Sequence, residues 1–418
     1  MVRGTGIAAS GAVLSPRRWH LVLGGILAAS LALDLVPLWW DLASANGWAP
    51  DEIHPSELNR AARHGFSAWA SRYPPFHYYL LSVSFQAFSA AASWVGMVPQ
   101  DLDDYHRWLF VVGRVISSLM ATGTVYVVYR CARCLYPRGA ACGAALSVAL
   151  MPPIVYYAKT MNLEAPYVFW FSISVFFLLR ILQRQRLRDY LLLAATTAFA
   201  IGSKDQAYGL YLLVPVVLVG SLAAWRKRRE PGFRVAALLV DRRLVGGLLL
   251  SLLLFALIHR VPFDPVGFSK HLDAMRAVAA PAREFDATLG GNFDLARQSL
   301  RNTVFALGAP LSLLSLAGLV LAAARPYRNW RVLALLPLPL SYQLFFIDLV
   351  GYSYARFMIP VCVILSLFVA HALREAQRAL AALVEPKIER AVLAGLAIAI
   401  FGHALLRASS VDLVMIAD

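Results

Sequence analysis

Residues 48–57 read Trp48-Ala49-Pro50-Asp51-Glu52-Ile53-His54-Pro55-Ser56-Glu57 and hold three carboxylates and one histidine. They follow an apolar run, residues 19–40, that is long enough to cross a bilayer. A carboxylate that has just left the membrane is partly desolvated, which raises its basicity, and it lies near the headgroup of any lipid-linked substrate. The stretch therefore predicts the catalytic loop of a membrane enzyme. The alternative is a solvated polar loop that merely ends a helix.

The composition indicates an all-α polytopic membrane protein. Hydrophobic residues make up 59% of the 418 residues and charged residues only 15%, with a mean hydropathy of +0.61. Soluble globular proteins carry roughly 25% charged residues. The formal net charge of +15 comes from basic residues in short loops between apolar runs, which is typical of loops held on the cytoplasmic side. A nucleic-acid partner is therefore not predicted.

Eleven apolar runs are near the ~20 residues that a transmembrane helix needs. They cover residues 19–40, 108–129, 139–158, 166–182, 190–203, 208–225, 244–261, 302–324, 332–350, 357–373 and 391–408. The fourth and fifth runs are short and are expected to extend into their flanks. We divide the chain into a catalytic membrane core, residues 1–240 with an outer loop at 41–107, and a C-terminal bundle, residues 241–418 with an outer loop at 262–301.

The run from Pro74 to Trp94 is ambiguous, and charge decides its placement. If it lies in the membrane interface, 24 of the 39 Lys and Arg residues fall on the cytoplasmic side; if it spans, only 15 do. The positive-inside rule favours an interfacial helix. A shorter helix is predicted to start at His54-Pro55-Ser56-Glu57 and to stop near Gly65, and the outer loop 262–301 is expected to carry another.

This arrangement gathers acids and cations on one face. The span ends and outer loops place there Asp51, Glu52, Lys159, Glu164, Lys204 and Arg356. Such a set suits transfer from a phosphate-bearing donor, because cations hold the leaving phosphate strongly where water is scarce. An acid would accept the proton of the attacking hydroxyl. A lipid tail would lie between the helices, held by burial.

Several of these charges have structural alternatives. Lys159, Lys204 and Arg356 could anchor the protein at the headgroups, and Glu164 could simply pair with Lys159.

Asp34 lies inside the first span, where an unpaired carboxylate is costly. Arg114, in the outer half of the next span, is its predicted partner in a structural ion pair. His54 and His77 could bind a metal together with Asp51, but their spacing matches no known ligand pattern, so no metal ligand is assigned. Cys131 and Cys134 lack a second pair for a zinc site and are expected to pack as small apolar residues.

Five segments together resemble the GT-C glycosyltransferases. Pro50 to Pro55 is similar to the acidic first-loop motif of that family, and Tyr73-Pro74-Pro75-Phe76 to its Pro-Pro element after the loop helix. Leu109 to Arg130 resembles its second span. Tyr156 to Pro166 resembles the second outer loop, with Glu164 where aspartate is commoner. Tyr354 to Pro360 resembles the late Arg-Tyr-X-X-Pro element.

The resemblance is nearest to the family 39-like branch, which includes protein O-mannosyltransferases and lipid A aminoarabinose transferases. It implies an inverting transferase that moves a sugar from a polyprenyl-phosphate donor to a lipid, glycan or protein hydroxyl. Asp51 would be the base or the acceptor-binding acid, with Glu52 beside it. Four cations would bind the donor phosphate: Arg356, Lys204, Lys159 and Arg72.

The resemblance also has consequences for location and cofactors. It implies an active site facing the periplasm or exterior. The alanine- and arginine-rich composition separately indicates a bacterial inner membrane protein. The resemblance establishes no cofactor and leaves open a divalent metal. The rival hypothesis is a polytopic transporter or lipid flippase, which would carry interrupted helices in matching halves and ionisable groups near the bilayer midplane. A catalytically silent assembly partner is the third.

Overall fold

The computed structural model describes residues 15–40, 42, 52–63, 73–279 and 282–417, and within them the secondary structure is helical with no strand. The α-helices of these residues, in chain order, are α1 Pro16–Leu35, α2 Pro55–Arg63, α3 Phe76–Trp94, α4 Leu102–Arg133, α5 Arg138–Ala149, α6 Pro152–Ala158, α7 Glu164–Arg184, α8 Leu187–Ser203, α9 Val214–Lys227, α10 Arg242–Ile258, α11 Pro265–Ala279, α12 Leu289–Leu307, α13 Ala309–Ala323, α14 Pro326–Leu333, α15 Pro337–Tyr342, α16 Asp348–Val350, α17 Ile359–Leu383 and α18 Pro386–Ala417. The predicted all-α class is confirmed.

Among the described residues, six helical segments are long and apolar enough to cross a membrane. They are Arg17–Leu35, Leu102–Arg133, Glu164–Arg184, Asp205–Lys227, Ala355–Leu383 and Pro386–Ile416. Counting each of three bent helix pairs as one span raises the number to nine. Two further helices, α8 and α10, are apolar and 17 residues long, at the lower end of the spanning range. The chain is thus an integral membrane protein, while the count of eleven spans stays a prediction, as does the division at residue 240.

Three of the predicted spans are bent helix pairs rather than single helices. The run 139–158 is bent by 61° between α5 and α6, 302–324 by 113° between α12 and α13, and 332–350 by 48° between α14 and α15. A proline at the first position of α6 and of α15, and at the second position of α13, explains the breaks, because proline has no N–H to continue the hydrogen bonds of the preceding helix. At the sharpest bend Gly308 adopts a φ of 82°, which few other residues tolerate.

The first outer loop contains the two predicted helices. In α2, the Ser56 backbone N–H donates to His54 Nδ1 at 3.1 Å, which satisfies one of the free N–H groups at the helix start. The predicted stop at Gly65 lies outside the described residues. Helix α3 follows the Pro74-Pro75 pair and is not among the candidate spans, in agreement with an interfacial helix. Helix α11 lies in the outer loop 262–301, as expected.

Close helix packing forms the core, and α18 covers one side of it. Helices α13 and α17 approach so closely that a Cβ on Gly318 would lie 1.9 Å from the Phe368 carbonyl oxygen. Small residues at such contacts are typical of helices that pack within a membrane. By contrast, α18 has most of its surface exposed, with only 11% of its apolar window buried.

His77 gives the stability of this fold a specific pH dependence. Its ring is fully buried in α3, neither ring nitrogen has a hydrogen-bond partner among the described residues, and burial lowers the pKa of His77 to about 3 from 6.5. Between these two values the unfolded chain binds the proton that the folded chain excludes, so stability falls as the pH drops below 6.5. We expect unfolding to cost about 2 kcal/mol less at pH 5 than at pH 7 on this account.

This expectation is checked by following thermal unfolding in detergent at pH 7, 6 and 5. His77→Met should reduce the loss of stability between pH 7 and 5 by about 2 kcal/mol, whereas His20→Met, which changes an exposed histidine, should retain it. An unchanged pH slope in His77→Met would show that other groups carry the dependence.

Candidate active site

The second outer loop, residues 159–163, is joined to the first by backbone hydrogen bonds. The Ile53 N–H donates to the Met161 carbonyl at 2.8 Å, and the Met161 N–H donates to Glu52 Oε1 at 2.7 Å. Helix α4 approaches the same point at Gly113, where a Cβ would lie 2.1 Å from the Met161 sulfur. The residue after Asp51 is therefore fixed against the second loop, although Asp51 itself lies outside the described residues.

Arg114 fixes Glu52 from the other side. Its Nε and Nη2 donate to the two carboxylate oxygens of Glu52 at 2.8 and 2.9 Å. Its Nη1 donates to the carbonyls of Leu38 and Trp40 at 2.9 and 2.6 Å, just beyond the end of α1. The side chains of Arg114 and Glu52 are 0% and 2% exposed. Both oxygens of Glu52 are thus engaged, which does not support the predicted catalytic role of this residue.

The predicted ion pair between Asp34 and Arg114 is wrong. The guanidinium of Arg114 is used by Glu52 and the two carbonyls, a bidentate arrangement that also satisfies the end of α1. Asp34 is buried and accepts a long hydrogen bond of 3.4 Å from Thr122 Oγ1. Its charged neighbours are Lys159 and Asp412.

Lys159 is buried in an ion pair rather than presented to a ligand. Its side chain is 0% exposed, and Nζ lies 2.6 Å from Asp412 Oδ1 and donates to the Val155 carbonyl at 3.0 Å. Burial lowers the pKa of Lys159, and the hydrogen bond with Asp412 opposes that shift. These contacts attach α18 to the second outer loop and do not support the predicted role of Lys159 in phosphate binding.

Glu164 gathers two of the predicted cations. Lys204 Nζ lies 2.5 Å from Glu164 Oε1, and Arg356 Nε lies 3.7 Å from the same oxygen. The Glu164 N–H donates to Asn162 Oδ1 at 2.9 Å, which caps the start of α7. The alternative pair of Glu164 with Lys159 does not form. Two cationic side chains thus converge on one buried carboxylate at this point of the fold.

A cavity of about 530 Å³ lies beside this cluster. Its lining residues come from α6, the second outer loop, α12, α18 and the turn before α17: Pro152, Pro153, Tyr156, Tyr157, Asn162, Phe305, Tyr354, Ala355, Arg356 and Val411. Arg356, with 24% of its side chain exposed, is the lining cation. Lys204 lies behind it, with Nζ 5.9 and 5.8 Å from the ring centroids of Tyr73 and Tyr167.

The cavity combines apolar walls with a few polar groups, as small-molecule sites do. Sequence reasoning missed Asn162 and Asp412. An asparagine two residues before a helix start was a readable signal for Asn162, because its side chain readily bonds a nearby backbone N–H. So was a carboxylate in an apolar helix at Asp412. Arg72, the fourth predicted phosphate ligand, lies outside the described residues.

The described carboxylates do not fit a divalent metal. In that part of the chain no three His, Cys, Asp or Glu side chains come close enough to share an ion. Glu52 and Glu164 already neutralise Arg114 and Lys204. His54 instead bonds Ser56 Oγ at 2.6 Å. We therefore derive no step through a metal.

Solved structures share this architecture. An oligosaccharyltransferase from Archaeoglobus fulgidus, tethered to an acceptor peptide, aligns with a TM-score of 0.59 at 17% identity over 95% of this chain and 55% of its own. ArnT from Cupriavidus metallidurans, bound to undecaprenyl phosphate, aligns with a TM-score of 0.57 at 16% identity over 97% of this chain and 73% of its own. The chain has the fold of the GT-C glycosyltransferases.

A comparison of the sequence with protein families matches part of the chain to a glycosyltransferase family. The family model for dolichyl-phosphate-mannose-protein mannosyltransferase matches residues 109–241, which run from α4 to the start of α10. No curated protein matches the chain by sequence. The arabinosyltransferase EmbB from Mycobacterium smegmatis aligns with a TM-score of 0.50 at 14% identity over 100% of this chain. The chain spans about half the length of the archaeal oligosaccharyltransferase and 42% of EmbB.

Proposed function

We propose that this protein is a glycosyltransferase that moves a sugar from a polyprenyl-phosphate donor to a hydroxyl acceptor at the outer face of the membrane. The observation that carries the proposal is the cluster of Arg356, Lys204 and Glu164 beside an apolar cavity that Arg356 lines. A bacterial inner membrane, with the cavity facing the periplasm, is the proposed location.

The cavity suits the lipid phosphate end of such a donor. Arg356 supplies a guanidinium at the wall, and phosphate accepts bidentate hydrogen bonds from that group. Phe305, Val411 and the Pro152-Pro153 pair supply apolar surface for the isoprenoid nearest the phosphate. ArnT from Cupriavidus metallidurans binds undecaprenyl phosphate, a polyprenyl phosphate of the kind that this reaction would release.

The proposed reaction is a single inverting displacement. Asp51 accepts the proton of the acceptor hydroxyl as its oxygen attacks the anomeric carbon. The bond between that carbon and the phosphate oxygen breaks on the opposite face of the sugar. The negative charge that develops on the polyprenyl phosphate is stabilised by Arg356, with Lys204 behind it.

The other acids position these groups. Glu52, held between Arg114 and the Met161 N–H, orients the chain next to Asp51. Glu164 orients Lys204 and Arg356 toward the cavity wall. Groups held in place before the reaction need no reorganisation when charge develops, and this is why a buried positioning residue affects rate.

The general base is tested with Asp51→Asn. Purified protein incubated with polyprenyl-phosphate sugars and an acceptor should release lipid phosphate, and the variant should lose about 10²–10⁴-fold of that activity because proton removal is no longer assisted. The matched control is Glu57→Gln, which changes an exposed carboxylate in the same loop. Wild-type release by a folded Asp51→Asn protein would remove Asp51 from this role.

The three bent helix pairs give the transporter hypothesis its support, since transporters carry interrupted helices. Two observations do not match that hypothesis. The three bends differ in angle, at 61°, 113° and 48°, and the cluster of Glu164, Lys204 and Arg356 lies at helix ends and in loops. Reconstituted vesicles distinguish the two functions. A transferase cleaves the donor whether or not lipid crosses the bilayer, whereas a flippase moves intact donor without releasing lipid phosphate.

A further inference from the structure

A second cavity, of about 270 Å³, lies at the opposite end of the helix bundle. It is lined by Arg130, Arg133, Cys134, Phe176, Arg180, Gln183 and Arg184, at the C-terminal ends of α4 and α7. Arg133 follows Arg114 by 19 residues in α4, a rise of about 28 Å at 1.5 Å per residue. That distance is close to the ~30 Å thickness of the hydrocarbon core. The cavity therefore lies at the headgroup level of the other leaflet.

This cavity has uncompensated positive charge. Of its four guanidinium groups, Arg180 is paired with Asp189, whose Oδ1 lies 2.9 Å from Nε. Within the described part of the chain, no carboxylate lies within ion-pair distance of the other three, Arg130, Arg133 and Arg184. Three neighbouring cations repel one another, and a bound anion would relieve that repulsion.

Aromatic and backbone contacts hold these cations in place. The Arg130 and Arg180 guanidinium carbons lie 5.3 and 5.7 Å from the Phe176 ring centroid. Arg133 Nη1 donates to the Tyr136 carbonyl at 2.6 Å, and Gln183 Nε2 donates to the Cys134 carbonyl at 2.6 Å. Because these hydrogen-bond donors are already ordered, binding an anion here costs little conformational entropy.

We propose that this cavity binds the phosphodiester headgroup of an anionic phospholipid in the leaflet opposite the candidate active site. The guanidinium fork matches the oxygen pair of a phosphodiester, and basic pockets between membrane helices on the cytoplasmic side are typical lipid headgroup sites. The apolar surfaces of α4 and α7 lead from the cavity into the bilayer, where the acyl chains would lie. The proposal does not depend on the transferase function.

Cys134 provides a direct measure of occupancy. It lines the cavity and is partly exposed, whereas Cys131, Cys142 and Cys362 are buried. The protein is placed in nanodiscs of phosphatidylcholine alone or mixed with phosphatidylglycerol, and the alkylation rate of Cys134 by N-ethylmaleimide is measured by peptide mass spectrometry. We expect phosphatidylglycerol to slow alkylation about tenfold, the factor 1 + [L]/Kd for a site that the lipid nearly saturates.

Matched variants separate the cavity from the general membrane charge. Arg130→Gln combined with Arg184→Gln removes two exposed lining cations and should weaken headgroup affinity roughly thirtyfold, so that phosphatidylglycerol no longer slows alkylation. Arg186→Gln combined with Arg188→Gln removes the same charge from the adjoining start of α8, outside the lining, and should keep the full effect. The ratio of rates in the two membranes is compared within each variant, which cancels changes in thiol reactivity.

Soluble phosphate distinguishes the source of the anion. Glycerol phosphate added to phosphatidylcholine nanodiscs should leave the rate unchanged if the ligand is a membrane lipid. Equal protection by glycerol phosphate would overturn the lipid assignment in favour of a soluble phosphate ester. Equal protection in both double variants, or none in the wild type, would overturn the site itself.

Discussion

Arg356→Gln is expected to lower glycosyl transfer about 10²–10³-fold, the usual loss when one preorganised donor to a developing negative charge is removed. Arg356 is the cation that lines the active-site cavity, and Glu164 orients it from 3.7 Å. The rings of Tyr354 and Phe357, whose centroids lie 5.4 and 5.6 Å from its guanidinium carbon, hold it further. The phosphate gains charge as the sugar leaves, so the loss should fall mainly on kcat.

The measurement is steady-state release of lipid phosphate at varied donor concentration. Arg356→Lys keeps the charge but not the bidentate fork, and we expect an intermediate loss. Arg301→Gln changes an exposed arginine on α12 and should leave both kcat and KM unchanged. If Arg356→Gln raised KM alone, the residue would contribute to donor binding but not to stabilising the leaving group.

The sequence was sufficient for the class of fold and for grouping three of the candidate site residues. Charge placement put Glu164, Lys204 and Arg356 on one side, although residues 164 and 356 are far apart in the chain, and the structure brings their side chains together. The side on which each loop lies follows from the number of spans that precede it. That number can be read from hydropathy and from the distribution of basic residues.

The sequence could not reveal which acid pairs with which cation. Asp34 and Glu52 both lie near the end of the first span. Helix geometry alone allowed Arg114 to reach Asp34. The choice depends on where the chain turns after α1, because the carbonyls of Leu38 and Trp40 share the same guanidinium as Glu52. That turn is a tertiary feature with no periodic signal. The Lys159–Asp412 pair could not be predicted for the same reason, because it joins segments that are far apart in the sequence.

The Arg114–Glu52 pair should be the strongest single contribution to site geometry. Arg114→Met leaves the carboxylate of Glu52 buried without its cation, and such a loss typically costs about 3–5 kcal/mol of unfolding free energy. Glu52→Gln keeps the shape but replaces one acceptor oxygen with an NH2 donor, so that only one of the two hydrogen bonds from Arg114 can form. We expect both variants to lose transferase activity, because the chain beside Asp51 is no longer fixed to the Met161 N–H.

The double variant Arg114→Met with Glu52→Met separates stability from positioning. Removing both charges should restore much of the free energy of unfolding, measured by reversible denaturation in mixed micelles, because no buried charge is left unpaired. Activity should stay low, since Asp51 still lacks its support. Asp241→Asn breaks another pair, with Arg226 at the other end of the bundle, and should lower stability while kcat is retained. If activity recovered along with stability in the double variant, the pair would serve folding alone and not the orientation of the first outer loop.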